Sequence, residues 1–231
     1  MGQQQEQQLF REALSRLESK DGLVGETIEF SNYAAEQGFG TRSTAQHISV
    51  NKISELNPLL REAKTMVFRL GSTTGSGRSC FALARSTRGL SDYFLIDSEI
   101  FTGEHPKLFL PDVSARALFA YELLPNLTES SFVNLALASG LMHEALGLDE
   151  RTLLPAPATG RGVFSFTFRP HEADDESLRH IRGQVEIDAL FVGKRNGEEH
   201  LFVVEAKHSK HMESLAKHKL AYPVLALQSS L

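Results

Sequence analysis

The sequence predicts an α/β (α+β) protein, in which a helical and hairpin region precedes a central mixed sheet flanked by helices. Three observations predict it. Apolar residues fall at helical spacing in the N-terminal stretches, short alternating or apolar runs bounded by turn residues recur from Thr65 onward, and the two kinds of segment intermingle toward the C-terminus. The composition agrees: 231 residues, 41% hydrophobic and 23% charged, are enough for a packed core and exclude a disordered or fibrous chain. No apolar stretch is long enough to span a membrane. The first residues have neither the basic nor the apolar region of a signal peptide, and Cys80 has no second cysteine to pair with, so a cytoplasmic protein is expected.

Taken in order, Gln4 to Leu17 reads as an amphipathic helix through Leu9, Phe10, Leu14 and Leu17, ended by Asp21-Gly22. A second helix is expected from Glu29 to Gln37, and a third from Thr41 that Pro58 interrupts. Thr65–Leu70 and Cys80–Arg85 read as a hairpin across the polar loop Gly71–Ser79. Three helices and a hairpin give the order of a winged-helix module, with the hairpin placed to touch phosphates. The net charge is −5, yet the window Lys52 to Arg88 holds seven basic residues against Glu55 and Glu62, a local +5. That excess, with Arg42 ahead of the window, makes Arg42, Lys52, Lys64, Arg69, Arg78 and Arg85 the candidate DNA contacts, although a solvated basic face has the same letters.

A strand is expected at Tyr93–Ile96, a helix from Asp112 to about Leu123, and a longer helix from the Thr128-Glu129-Ser130-Ser131 cap cluster to about Leu146. Val163–Arg169, Gln184–Val192 and His200–Lys207 read as three strands, with turn signals at Gly193–Gly197. A short helix from Lys210 to Leu220 and a fourth strand, Tyr222–Leu227, complete the expectation. The divisions expected are 1–90 as the helical and hairpin region, 91–126 as a connection and 127–231 as a C-terminal α/β domain.

The chemistry is expected at the ends of two apolar strands. Glu186 and Asp188 share one face of their strand, and Glu205 and Lys207 share one face of the next. Burying carboxylates and an ammonium beside apolar runs is costly and needs a reason. A hairpin with a five- to seven-residue loop would bring Asp188 near Glu205, an oxygen donor set suited to magnesium. The bland alternative is a surface ion pair at a sheet end.

Glu186-Ile187-Asp188, then sixteen residues, then Glu205-Ala206-Lys207, within the order helix, three strands, helix, strand, resembles the PD-(D/E)XK nuclease superfamily, the restriction-endonuclease-like fold. The resemblance covers about Glu129 to Leu227; the family's proline is replaced by Ile187. It implies Asp188 and Glu205 as ligands of Mg²⁺, with Mn²⁺ as a substitute, Lys207 as the catalytic lysine, and Glu144 as the extra helical carboxylate. Gln184, Glu186 and His208 are possible accessory residues. The implied activity is cleavage of double-stranded DNA, most like a type II restriction endonuclease acting as a homodimer. A structure-specific repair or mobile-element nuclease, or a non-catalytic DNA-binding regulator, are the alternatives. No Gly-Lys-Ser/Thr follows the Gly71–Ser79 loop at P-loop spacing, which excludes a Walker-type nucleotide hydrolase.

Overall fold

The computed structural model describes residues 8–20, 22–39, 46–72, 77–103, 105, 107–111, 113–149, 156–172, 174–207, 214–228 and 231. Among these the chain forms an α+β fold with a mixed six-stranded sheet and flanking helices. No helix among the described residues is long and apolar enough to cross a membrane. The chain divides into two compact units: 1–100 with 163–185 and 212–231, and 101–162 with 186–211. The units are therefore discontinuous in sequence, where a contiguous division at 90 and 126 was expected. The cause is strand β6, Leu178–Arg195, which is long enough to serve one unit with its first half and the other with its second.

In the first unit, helix α2 (Phe30–Glu36) stands where helical spacing placed it, while helix α1 (Arg11–Ser19) covers only the second half of the expected Gln4 to Leu17, residues 8–10 forming a turn and residues 4–7 lying outside the described residues. Pro58 starts helix α3 (Pro58–Glu62) instead of interrupting one. Its missing N–H costs nothing at that position, and the Asn57 side chain accepts from Leu59 N at 3.0 Å. The expected helix start at Thr41 lies outside the described residues. Strand β1 (Ile28–Glu29), the hairpin β2 (Thr65–Ser72) and β3 (Ser79–Arg85), the first half of β6, and β5 (Ala158–Phe168), which belongs to this unit from Val163 onward, run in the order β1-β3-β2-β6-β5.

The hairpin is the centre of this sheet and not a projecting wing. Met66, Val67, Phe68, Phe81, Ala82, Leu83 and Ala84 are all buried, as consecutive residues are only when both faces of a strand are covered. Phe10, Phe30 and Tyr33 pack edge-to-face around Phe81, and Tyr33 Oη donates to Leu9 O at 2.7 Å. Strand β4 (Phe94–Ile96) pairs with β8 (Ser214–Ala216), Phe94 opposite Ala216. Of the helix expected over Lys210–Leu220, residues 210–213 lie outside the described residues, Ser214–Ala216 are strand, and helix begins only at His218. Tyr222–Leu227, expected as the fourth strand, lies within helix α8 (His218–Gln228). A short apolar run fits a buried helix as well as a strand, and here Tyr222, Pro223 and Ala226 form the buried stripe while Val224 points outward.

Helix α8 packs through a histidine-rich aromatic cluster. Tyr222 stands with its ring centroid 5.1 Å from both His180 and His218, and Phe166 stacks on His180 at 4.5 Å. Nδ1 of His180 and Nδ1 of His218 are buried and find no hydrogen-bond partner among the described residues. Burial pushes the imidazoles down, to about 4 for His180 and about 3 for His218, with Arg69 and Lys219 adding repulsion to a second charge. Both folded values lie below the ordinary histidine value near 6.5, so the unfolded chain takes up protons first as the pH falls. The protein is expected to lose stability between about pH 6.5 and about pH 4, by roughly 1 kcal/mol per pH unit for each histidine. Melting temperature against pH for wild type and His180→Phe checks this, and the variant should have the shallower slope.

The second unit contains helices α5 (Ala115–Glu122), α6 (Glu129–Ala138) and α7 (Leu141–Leu146), following the single turn α4 (Asp97–Ile100) of the first unit. Ser114 caps α5 through Arg116 N at 3.2 Å, and Thr128 caps α6 through Ser131 N at 3.2 Å. The single long helix expected to Leu146 is broken into α6 and α7 at Gly140, whose φ of 82° is left-handed. Strand β7 (Glu198–Val204) pairs antiparallel with the second half of β6.

Candidate metal-dependent active site

The β6–β7 hairpin positions the site. Its pairs run from Ala189 opposite Val204 to Arg195 opposite Glu198, leaving only Asn196 and Gly197 in the turn. Both turn residues have positive φ, 54° and 82°, the requirement of a tight hairpin that Asn-Gly meets at low cost. Asp149 secures the turn, accepting from Asn196 N at 2.7 Å and Gly197 N at 2.6 Å. Those two backbone hydrogen bonds lower the Asp149 pKa, Gly197's being the larger cause. The turn is tighter than the five- to seven-residue loop the sequence suggests, so the ladder runs farther toward the turn, at the end of the hairpin away from Asp188.

That register places Asp188 directly opposite Glu205, one step beyond the last ladder pair. Ala206 N donates to Asp188 Oδ2 at 2.8 Å, fixing one carboxylate against the backbone that carries the other. The Glu205 side chain is only 3% exposed. Glu205 and Lys207 lie just past the end of β7, which stops at Val204 and not at the expected Lys207, and Lys207 Nζ comes to 2.9 Å from Glu205 Oε1. The same ammonium lies 3.4 Å from Oε1 of Glu129, the first residue of α6. Burial alone would lower the Lys207 pKa, but the bond to Glu205 and the charges of Glu205, Glu129 and Asp188 outweigh it and hold the pKa above its ordinary value. Lys207 is thus an ammonium throughout the neutral range. Three carboxylates around one ammonium leave a formal charge of −2.

Asp188, Glu205 and Lys207 are therefore brought together as the sequence suggests. Glu144 is exposed on α7, and the helical carboxylate that reaches Lys207 is Glu129. Sequence reading passes over Glu129 because an acid after a Thr N-cap is already explained by the cap and the helix dipole. Glu186 and Gln184 are exposed on β6. His208 lies outside the described residues, as does Arg42.

The other residues of the basic window serve local contacts. Arg69 donates to Ser49 Oγ at 3.1 Å, Arg78 pairs with Glu29 at 3.0 Å and bonds Asn32 Oδ1 at 2.9 Å, and Arg85 donates to Gly22 O at 3.3 Å. Lys64 is exposed and Lys52 half-buried.

Among the described residues no group of three or more His, Cys, Asp or Glu side chains forms a ready cage for a metal. The donor set that is present, two cross-strand carboxylates, matches what Mg²⁺ takes from proteins: one or two carboxylates, with water and substrate oxygens completing the octahedron.

No curated protein and no solved structure gives a significant match to the chain. The profile of a family described as "Domain of unknown function (DUF6997)" matches residues 112–231, a stretch that holds Glu129, Asp188, Glu205 and Lys207. Because that match spans more than half of the sequence, the chain belongs to the DUF6997 family.

Proposed function

We propose that this protein is a Mg²⁺-dependent deoxyribonuclease that hydrolyses phosphodiester bonds in double-stranded DNA, of the sequence-specific restriction type and acting as a homodimer in the cytoplasm. The observation that carries the reading is the Asp188–Glu205 cross-strand pair with Lys207 held on Glu205. A solvated surface ion pair does not account for it, because the Glu205 carboxylate is almost wholly buried.

Asp188 and Glu205 are the residues that would hold the cation. When bound, Mg²⁺ supplies Lewis-acid stabilisation of charge at phosphorus and lowers the pKa of an attacking water. Asp188 is pre-oriented by Ala206 N, so little is lost in fixing it. Lys207, kept protonated, cannot serve as a base; it donates hydrogen bonds and offers a fixed positive charge to a phosphate oxygen or to the water. Glu129 limits where that ammonium can go. The resemblance implies products with a 5′-phosphate and a 3′-hydroxyl. The engagement of Arg69, Arg78 and Arg85 in contacts within the first unit speaks against a protein that acts only by binding DNA through the N-terminal window.

Purified protein incubated with plasmid and Mg²⁺, beside Lys207→Ala and an EDTA control, tests the proposal. Discrete fragments from wild type alone are expected, with the variant slower by about a hundredfold or more. Intact plasmid in every lane would refute nuclease activity, and a smear or cutting only at branched DNA would replace the restriction role with a repair role.

A further inference from the structure

Lys207 occupies the place where a cation would be needed. Its Nζ is 2.9 Å from Oε1 of Glu205, a carboxylate with almost no contact with water, and the Asp188 carboxylate lies across the strand pair. A magnesium ion bonded to that same oxygen would sit about 2 Å from it, and an ammonium retained there would lie only about 4 Å from the metal. Two cations on one buried carboxylate repel, even with the Lys207 side chain 40% exposed, so the ion pair and the metal compete for Glu205.

The ammonium has somewhere else to go. Glu129 Oε1 is 3.4 Å from the same Nζ, the Glu129 side chain is 41% exposed, and the lysine has a four-carbon stem that pivots without backbone movement. We infer that Lys207 is the resident counter-cation of the Glu205 carboxylate, displaced onto Glu129 when a divalent cation binds. Glu129 is then a positioning residue that acts through Lys207. This inference rests on the metal-site reading above, but concerns cation binding and not cleavage.

The test is titration of the full chain with Mn²⁺, in the absence of DNA, for wild type, Lys207→Met, Glu129→Gln and the double variant. Asp188→Asn serves as the site control, and a melting curve for each confirms folding. Lys207→Met is expected to bind Mn²⁺ about tenfold more tightly than wild type, because no ammonium has to be moved. Glu129→Gln is expected to weaken binding in wild type, and to have no effect in the Lys207→Met background. Equal or weaker binding by Lys207→Met would overturn the counter-cation role while leaving the metal site standing. Equal weakening by Glu129→Gln in both backgrounds would make Glu129 a direct ligand and overturn the displacement onto it. Mn²⁺ binding by neither wild type nor Lys207→Met would overturn both this inference and the metal-site reading. Should Lys207→Met unfold, Lys207→Gln removes the same charge with a more polar end.

Discussion

Asp188→Asn is expected to lower Mg²⁺-dependent cleavage of duplex DNA by about a thousandfold or more, with little change in melting temperature. The substitution keeps the size of the side chain and its amide oxygen can still accept from Ala206 N, so the hairpin keeps its local contact. What goes is the negative charge, and with it one of the two carboxylates available to a hard cation. Asp188 is the better test of the pair. Glu205→Gln would also strip the buried partner from the Lys207 ammonium and mix a stability loss into the activity loss. The comparison to make is initial cleavage rate for wild type and Asp188→Asn at matched protein concentration, with the melting curve of each. Full activity in the variant would remove Asp188 from the chemistry, and with it the proposed function.

The parts of this arrangement that were legible in the sequence are those set by local rules. The Thr128 cluster announced a helix start, Asn196-Gly197 announced a hairpin, and the strand through Asp188 was expected, while Glu205 and Lys207 prove to lie just past the end of theirs. Once the turn is known, antiparallel pairing does the rest and sets Asp188 opposite Glu205. What was not legible depends on tertiary contact. Nothing in the spacing distinguishes Glu144 from Glu129 as the helical acid near Lys207, because the break at Gly140 and the packing of α6 decide it. The run Tyr222–Leu227 was ambiguous for a related reason: its burial stripe exists only against the aromatic cluster of His180, Phe166 and Phe168. The discontinuous units were hidden because a strand of 18 residues carries no internal mark where its two halves change company.

Gly71→Ala is expected to cost about 4 kcal/mol or more, enough to leave the first unit unfolded near room temperature. Gly71 is where β2 meets β6 in parallel, opposite Ile181. Its φ is +80°, and a methyl group there would come within 2.2 Å of Ile181 O and 2.8 Å of Gly183 Cα. Each fault alone would be tolerable at some sites: left-handed backbone costs a non-glycine residue about 1 kcal/mol, and a clash with a flexible side chain can be relieved. Here the obstacle is backbone on the neighbouring strand, so relief means separating β2 from β6. Gly183 faces it, and a Cβ on Gly183 would meet the buried His180 ring at 2.2 Å and Gly71 Cα at 2.8 Å. Gly160→Ala is the control, since among the described residues nothing lies within 4 Å of its added carbon and its φ is not left-handed. Urea denaturation of the three variants should leave Gly160→Ala near wild type and shift Gly71→Ala and Gly183→Ala to far lower midpoints. Because Gly71 and Gly183 guard the same close approach, forcing the strands apart once already removes what the second substitution would clash with. The double variant should therefore lose less than the sum of the two single losses, and strict additivity would mean that the two glycines act at separate contacts.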